Sequence, residues 1–300
     1  MKNYDLIIIG SGPAGITAGI YATRYNLNSV VIGEINGGAI AETHKICNYP
    51  GMNNITGFVL TSKFVEHLKE LGGSIINEKV IDIKKKENFK VITNKNEYYT
   101  KKIIIAIGSE RKKLNVKGED EFLGKGVSYC ATCDAPFYKN KIVGVVGGGN
   151  SALTAAILLS EYAKKVYIIY RREKFFRVEP MMLEEIKKKK NVHYVFNSEI
   201  IEIYGKDYVR GVKLNDGKKL ILDGVFIEIG SSPNEDFSKK LGIKTEKGYI
   251  IVDKKQRTNV EGVFAAGEIT DNPLKQIITA CAEGAIAATT AYEELKIEKS

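Results

Sequence analysis

Residues 5–15 read DLIIIGSGPAG, and this stretch decides the fold. The aliphatic run at residues 6–9 predicts a strand that is buried on both faces, as in a parallel sheet. Three glycines follow at once, and residues 16–27 then show a helical pattern. A second apolar run, residues 29–34, predicts the next strand. The N-terminal segment is therefore predicted to be a βαβ unit.

The glycine spacing of this unit indicates what it binds. Gly10, Gly12 and Gly15 form the pattern G-x-G-x-x-G between strand and helix. Such glycines allow a tight turn, let a pyrophosphate approach the backbone, and let the helix pack on the strand. The helix N-terminus offers N–H groups to phosphates, and an acid about twenty residues on, here Glu34, accepts hydrogen bonds from a ribose. We expect a dinucleotide site, with an ordinary glycine turn as the alternative.

A second unit of the same kind lies in residues 141–173. Gly147, Gly149 and Ala152 give G-x-G-x-x-A, again between a predicted strand and a predicted helix. The chain therefore carries two dinucleotide-type turns, which predicts two separate binding domains.

The second unit differs from the first at the end of its second strand. Arg171 and Arg172 stand there instead of an acid, and Arg177 follows shortly after. Arginines bind a 2′-phosphate through charge-assisted hydrogen bonds, whereas an acid would repel it. This pattern favours NADP(H) over NAD(H). A basic surface turn without a ligand is the alternative.

Together with the rest of the chain, the two units predict an α/β fold class with two Rossmann-like domains of three-layer ββα architecture. Residues 80–108 and 193–230 each read as a meander of short strands, and residues 262–295 as a strand, a turn and a long helix. A length of 300 residues suits two domains, since one domain takes about 100–200 residues. The polar stretches at 109–121 and 231–243 are the expected joints.

Composition excludes several classes of function. No apolar run reaches the length of about 18 residues that a membrane span needs, and no signal-peptide pattern is present, so we expect a cytoplasmic location and no membrane partner. The net charge of +9 comes from lysines that are spread along the chain. Because aromatic residues do not alternate with basic ones, we expect no nucleic-acid partner. A basic nucleic-acid-binding protein would explain the charge but not the two glycine turns.

The sequence SYCATCDAP, residues 128–136, holds two of the four cysteines, Cys130 and Cys133. Such a pair is half a zinc site, a structural crosslink or a redox switch. Zinc needs two further ligands at suitable spacing, but Cys47 and Cys281 are isolated and the three histidines form no pair, so we expect no metal. In a reducing compartment stable disulfides are rare, and close cysteine pairs are typically catalytic or metal-binding.

Two dinucleotide sites and a cysteine pair together predict one electron route. If one site takes a nicotinamide cofactor, FAD is the natural occupant of the other, because hydride passes from nicotinamide to flavin and on to a disulfide. Ferredoxin- or flavodoxin-type NADP reductases of similar fold lack the cysteine pair, which argues against that class.

On these residues the chain resembles the low-molecular-weight thioredoxin reductases of bacterial and archaeal type, which are class II pyridine nucleotide-disulphide oxidoreductases. The resemblance runs from about residue 5 to residue 293. It rests on CATCDAPFY (130–138), VVGGGNSA (145–152), GSGPAG (10–15), GG (37–38), NYPG (48–51), YRREKFFR (170–177), TNVEGVFAAGEIT (258–270) and KQIITACAEGAIAA (275–288).

The resemblance implies an FAD domain built from residues 1–112 and 245–300, with an NADPH domain, residues 113–244, inserted between them. It implies a homodimer, thioredoxin as the partner, and an inserted domain that changes orientation in each cycle. Cys133 would lie nearer the flavin, Cys130 would attack the disulfide of thioredoxin, and Asp134 would protonate the departing thiolate. A peroxiredoxin- or glutaredoxin-like partner, or NADH as the donor, is the alternative function.

Further positions carry over as cofactor contacts, with some departures from the family pattern. The departures are Glu268 where an aspartate is common, Ala39 for a glutamine, Tyr170 for a histidine, Lys275 for an arginine, and one extra residue before Arg177. The implied FAD contacts are Gly10, Ser11, Gly12, Pro13, Ala14, Gly15, Glu34, Gly37, Gly38, Asn48, Gly267, Glu268, Lys275, Gln276 and Ile277. The implied NADPH contacts are Gly147, Gly148, Gly149, Asn150, Ser151, Arg171, Arg172 and Arg177.

Overall fold

A computed structural model describes residues 2–34, 38–43, 46, 48–52, 54–176, 178–233 and 235–298. The chain forms two compact units. Unit 1 comprises Met1–Glu110 and Ser232–Ser300, and unit 2 comprises Arg111–Ser231.

The described residues form strands and helices in the alternating order that an α/β fold requires. The strands are β1 (Lys2–Ile9), β2 (Ser29–Ile32), β3 (Ile75–Ile76), β4 (Val80–Lys85), β5 (Phe89–Thr93), β6 (Glu97–Ile105), β7 (Ser109–Arg111), β8 (Val127–Ser128), β9 (Ile142–Val146), β10 (Lys165–Ile169), β11 (Val192–Val195), β12 (Ile200–Gly205), β13 (Val209–Leu214), β14 (Lys219–Ile221), β15 (Gly224–Ile227), β16 (Ser231–Pro233), β17 (Thr245–Glu246), β18 (Tyr249–Ile250) and β19 (Val263–Ala265). The α-helices are α1 (Pro13–Arg24), α2 (Gly57–Glu70), α3 (Ala131–Asp134), α4 (Asn150–Ser160), α5 (Pro180–Lys187), α6 (Asp236–Leu241) and α7 (Ile277–Ile297), with 3₁₀ turns at Gly38–Glu42 and Ala135–Tyr138.

Unit 1 is built on a mixed sheet in the order β3-β2-β1-β6-β5-β4, with β19 also paired to β6. Strands β1, β2, β3, β6 and β19 run parallel, whereas β4 and β5 form the antiparallel meander. Alternate residues of β1 face opposite sides, since successive side chains of a strand point to opposite faces. Leu6 and Ile8 enter one core with α1, α2 and α7, and Ile7 and Ile9 enter a second core.

Unit 2 repeats this plan with a five-stranded parallel sheet in the order β11-β10-β9-β15-β8. A separate antiparallel sheet, β12-β13-β14, accompanies it. Val143 and Val145 of β9 pack with α4 in one core, and Val146 belongs to the other. The predicted α/β fold class with two Rossmann-like sheets is confirmed.

The domain boundaries differ from the predicted ones at the second crossing. The chain leaves unit 1 at residues 110–111, where 112–113 was expected, and returns at 231–232 rather than 244–245. The reason is α6, because Phe237 on this helix and Ile243 just after it are buried in the second core of unit 1. Lys240 adds an ion pair to Asp82 of β4 at 3.0 Å.

No helix among the described residues is both long enough and apolar enough to cross a bilayer.

Candidate active site

The first glycine turn is shaped by close contacts between backbone segments. Gly10 has φ +113°, and a Cβ there would lie 2.2 Å from the carbonyl oxygen of Ala106. A Cβ at Gly15 would lie 1.8 Å from the carbonyl oxygen of Gly10. Gly12 is the N-cap of α1 and Pro13 is its first residue, a position where proline loses no hydrogen bond. Any side chain at residues 10 or 15 would therefore displace the turn.

The parallel strands of unit 1 bring several chain segments to one edge, where their carboxyl ends lie side by side. Ala106, after β6, donates its N–H to Ile9 at 2.7 Å, and Ala266, after β19, donates to Ile105 at 3.0 Å. Beyond these ends the Ser109 hydroxyl donates to the Glu268 carboxylate at 2.6 Å. This edge is where ligands bind in open α/β sheets.

Other implied FAD contacts are also found near this turn. A Cβ at Gly38 would lie 2.9 Å from Gly12, and one at Gly267 would lie 3.0 Å from Ala14, so both glycines leave space beside the start of α1. Ser11 is buried, and Glu34 is exposed just beyond β2. Gly37 lies outside the described residues.

The start of α7 holds a second group of implied contacts. Gln276 is the N-cap of α7, followed by Ile277, and its side-chain oxygen accepts from the Asn48 amide at 2.9 Å. Lys275 donates to the Thr270 carbonyl, and its ammonium lies 4.5 Å from the Tyr249 ring centroid. Burial lowers the pKa of Lys275 from its ordinary value.

Sequence reasoning missed two groups in unit 1, Ser109 and Glu283. Glu283 is only 6% exposed and accepts hydrogen bonds from the Gly267 N–H at 2.7 Å and the Thr270 hydroxyl at 3.0 Å. Burial raises the pKa of Glu283 above its ordinary value, against the opposing effect of these hydrogen bonds. The available signal was an acid on the apolar face of α7, because acids are rarely buried without partners.

The second glycine turn, in unit 2, has the same kind of construction. Gly147 has φ +142°, and a Cβ there would lie 2.2 Å from the carbonyl oxygen of Glu228. Gly149 is the N-cap of α4. The Tyr170 ring covers Gly148 so closely that a Cβ at residue 148 would lie 2.4 Å from ring carbons.

The segment after β10 folds back onto this turn. Phe176 donates its N–H to the Gly148 carbonyl at 3.0 Å, and the Arg172 guanidinium lies 4.4 Å from the centre of the Phe176 ring. Arg171 and Arg172 are exposed, as is Ser151 in the first turn of α4. The neighbouring Asn150 side chain exchanges hydrogen bonds with Glu179. Arg177 lies outside the described residues.

The cysteine pair of unit 2 is joined by a disulfide. Cys130 and Cys133 have Cα atoms 5.4 Å apart, and Cys130 is the N-cap of the single-turn helix α3. The Cys133 N–H donates to the Cys130 sulfur at 3.2 Å. Cys133 is exposed, whereas Cys130 and Asp134 are half-buried. Within the described ranges no group of three or more His, Cys, Asp or Glu side chains could hold a metal.

The other two cysteines are separate from this pair. Cys281 is a buried free thiol on α7, and burial raises its pKa. Cys47 lies outside the described residues.

A surface cavity of about 440 Å³ borders the redox segment in unit 2. Asp134 lies on its wall, and so do the aromatic side chains of Phe137 and Tyr208, which are 78% and 66% exposed. Tyr138 also lines it, and burial, with the carboxylates of Asp134 and Asp223, raises the pKa of Tyr138 to about 12.

These features have counterparts among known proteins. The model of the pyridine nucleotide-disulphide oxidoreductase family matches residues 4–284, nearly the whole chain.

The chain belongs to the pyridine nucleotide-disulphide oxidoreductase family.

Several proteins similar to this chain are thioredoxin reductases. The thioredoxin reductase of Listeria monocytogenes is 40% identical over 98% of this chain and 96% of its own length. The crystal structure of Lactococcus lactis thioredoxin reductase aligns with a TM-score of 0.94 at 36% identity, covering 98% of this chain and 99% of that one. The structure of thioredoxin reductase from T. acidophilum gives 0.91 at 39% identity, with the same coverage. The resemblance found in the sequence is therefore confirmed.

The chemistry available to this pyridine nucleotide-disulphide oxidoreductase lies in three places. Unit 1 has one glycine turn with a polar sheet edge, and unit 2 has the other glycine turn with its arginines. Unit 2 also carries the disulfide, which takes up two electrons and two protons when it opens.

Proposed function

We propose that this chain is a thioredoxin-disulfide reductase that takes electrons from NADPH, through FAD, to the Cys130–Cys133 pair and on to thioredoxin. The observation that carries the proposal is the disulfide between these two cysteines, in a chain that also has two dinucleotide-type turns. Thioredoxin reductases about as long as this chain, at 40% identity, support the choice of substrate.

Unit 1 fits FAD. Gly10 and Gly15 have no room for a side chain, and Gly38 and Gly267 keep the space beside the N-terminus of α1 open. We propose that this N-terminus binds the pyrophosphate, Glu34 the adenosine ribose, and Glu268 with the 275–277 segment the remainder of the cofactor. Bound FAD would supply the chemistry of accepting hydride from a nicotinamide and passing two electrons to a disulfide.

Unit 2 fits a nicotinamide dinucleotide, and its arginines favour NADPH. Gly147 and Gly149 leave the N-terminus of α4 free of side chains, and Arg171 and Arg172 are exposed at the end of β10. Two guanidinium groups at this position would pair with a 2′-phosphate, which NADH lacks. NADH remains the alternative donor.

The dithiol form of the pair would carry out the exchange with thioredoxin. The Cys130 thiolate attacks one sulfur of the thioredoxin disulfide, forming a mixed disulfide and releasing a thiolate that Asp134 protonates. Cys133 then attacks the Cys130 sulfur, which restores the Cys130–Cys133 bond and frees the second thioredoxin thiol. Thioredoxin gains two electrons and two protons, and the enzyme pair loses them.

The hydrogen bond at the pair favours Cys130 as the attacking sulfur. Its Sγ accepts the Cys133 N–H, and a hydrogen bond to a thiolate lowers the pKa of the thiol. The greater exposure of Cys133 favours the opposite assignment, and we give more weight to the hydrogen bond, because it acts on the charged form itself.

The surroundings of the pair suit a protein substrate. The aromatic side chains of Phe137 and Tyr208 are exposed beside the cavity that Asp134 lines, where they are free to contact a protein partner. We also propose a homodimer and a cytoplasmic location, and light scattering on the purified protein would test the first.

Replacing each cysteine tests the proposal. Cys130→Ser and Cys133→Ser should each abolish thioredoxin reduction, whereas flavin content and reduction of the bound flavin by NADPH persist. Cys281→Ala is the matched control, because this thiol lies outside the pair, and it should remain active. Thioredoxin reduction that survives in both serine variants would contradict the mechanism.

A separate experiment tests the nicotinamide cofactor and the identity of the partner. kcat/KM should be higher for NADPH than for NADH, and higher for thioredoxin than for a glutaredoxin- or peroxiredoxin-like protein. Arg172→Ala should raise the Kd for 2′,5′-ADP by about tenfold to a hundredfold, because a charge-assisted hydrogen bond contributes about 1.5–3 kcal/mol. Equal use of both nicotinamides by the parent would refute the assignment of the arginines.

A further inference from the structure

A buried carboxylate of unit 2 touches the residue that precedes the redox pair. Glu119 is 3% exposed, and carboxylates are seldom buried so fully unless their oxygens accept hydrogen bonds. Its Oε1 accepts the Leu114 N–H at 2.8 Å, and its Oε2 accepts the Asn115 N–H at 2.6 Å. The Tyr129 hydroxyl also donates to Oε1. Glu119 therefore ties Tyr129 to the backbone of residues 114–115.

Tyr129 is held from a second side by its own carbonyl group. The Arg111 guanidinium donates to this carbonyl and lies 3.7 Å from the Glu228 carboxylate. Burial, and then the hydrogen bond to Glu119, raises the pKa of Tyr129 above its ordinary value of 10.0. The phenol therefore stays protonated near neutral pH and remains a donor to Glu119.

The next residue in the chain is Cys130, whose carbonyl accepts hydrogen bonds from the Asp134 N–H at 3.2 Å and the Ser128 hydroxyl at 3.3 Å. Its N–H donates to the Ser128 hydroxyl oxygen at 3.0 Å, and its sulfur accepts the Cys133 N–H at 3.2 Å. In the dithiol form no bond holds the two sulfurs together, so the backbone at residues 128–130 decides whether the sulfur still meets that amide.

We propose that Glu119 and Tyr129 are positioning residues for Cys130. They hold the backbone so that the Cys130 sulfur stays on the Cys133 amide after the disulfide opens, which keeps the thiolate populated. The inference rests on the proposed function, in which Cys130 is the attacking sulfur. Neither residue touches the substrate, and Glu119 acts only through Tyr129.

Two conservative variants test the inference. Tyr129→Phe keeps the ring and removes the hydroxyl, and Glu119→Gln keeps the shape and removes the charge. Each is made in the full-length Cys133→Ser chain, and the rate at which iodoacetamide alkylates Cys130 is followed against pH by mass spectrometry of the peptide that contains it. Tyr204→Phe and Glu199→Gln are the controls, since they remove the same groups elsewhere in unit 2 and leave the Lys117–Glu202 ion pair beside Glu119 intact.

Both variants should shift the alkylation profile to higher pH and slow the reaction near neutral pH roughly threefold to tenfold, because one pKa unit is a tenfold change in thiolate. The controls should keep the parent profile. The double variant should be no slower than the slower single variant, since residues acting in series are not additive.

An unchanged profile in Tyr129→Phe would overturn the inference even if that variant melts at a lower temperature, because a purely structural role lowers stability without moving a thiol pKa. Additive slowing in the double variant would overturn the claim that Glu119 acts through Tyr129. The alkylation profile is measured without thioredoxin. A parent enzyme that fails to reduce thioredoxin would therefore refute the proposed function but would leave the effect of Glu119 and Tyr129 on the Cys130 thiol testable.

Discussion

Replacing Glu283 should separate the effect of its hydrogen bonds from the effect of its charge. Glu283→Ala leaves the Gly267 N–H and the Thr270 hydroxyl without this acceptor in a buried site. Only the Gly267 N–H is left unsatisfied, because the Thr270 hydroxyl also donates to the Gly267 carbonyl at 2.9 Å. An unsatisfied buried group costs about 1–3 kcal/mol, and the lost methylene adds about 0.8 kcal/mol. Since alanine no longer carries the cost of burying a charge, we expect a net loss of about 2 kcal/mol.

Glu283→Gln keeps an acceptor oxygen and removes the charge, so it should cost about 1 kcal/mol or less near neutral pH. Thermal unfolding of the full chain measures the difference. A loss of 1 kcal/mol lowers Tm by about 2–4 °C in a unit of the size of unit 1, so the alanine variant should melt about 4–8 °C below the parent. Glu246→Ala, which removes an exposed glutamate of unit 1, is the control and should leave Tm unchanged.

The pH dependence gives a second test of the same site. Burial raises the pKa of Glu283 above its ordinary 4.5, so the folded state holds this proton more tightly than the unfolded state does. The stabilisation is complete below the ordinary pKa and is lost as pH rises through the raised value. The Tm of the glutamine variant should therefore rise relative to the Tm of the parent as pH increases. If the Tm of the parent rises relative to the variant instead, or if the alanine variant has the same Tm as the parent, the reasoning is refuted.

The remaining predictions concern other buried contacts. Gly10→Ala should prevent unit 1 from forming its glycine turn, because the new Cβ would lie 2.2 Å from a backbone oxygen. The purified variant should therefore contain no flavin. A variant with full flavin content would show that the turn is not as tight as described. Gly148→Ala should raise KM for NADPH several-fold because it displaces the Tyr170 ring, and KM for thioredoxin should not change. Glu294→Gln removes a carboxylate that accepts hydrogen bonds from Arg257 and Lys102. Burial tends to raise the pKa of Glu294, but these hydrogen bonds outweigh it and hold the pKa below 4.5. That stabilisation, about 1–2 kcal/mol, is present above the ordinary pKa and lost as pH falls through the lowered value, so parent and variant should differ in Tm near neutral pH and converge in acid.

The sequence predicted those parts of the fold that depend on local patterns. Both glycine turns, their flanking strands and helices, and the cysteine pair follow from residues close together in the chain. Ser109 and Glu268 are hydrogen-bonded across 159 positions, and no local pattern specifies which strand ends become neighbours. Residues 231–243 were predicted as a joint because they are polar and turn-rich, but Phe237, Leu241 and Ile243 pack into the second core of unit 1.

Unit 1 is assembled from both ends of the polypeptide, and this affects the order of biosynthesis. A ribosome makes β6 long before β19, the parallel strand that pairs with it. Unit 2 lies wholly between them, so it emerges complete while that flank of β6 still lacks its neighbour. The nascent chain therefore carries an unpaired strand edge, a template for aggregation, until β19 leaves the exit tunnel and pairs with β6.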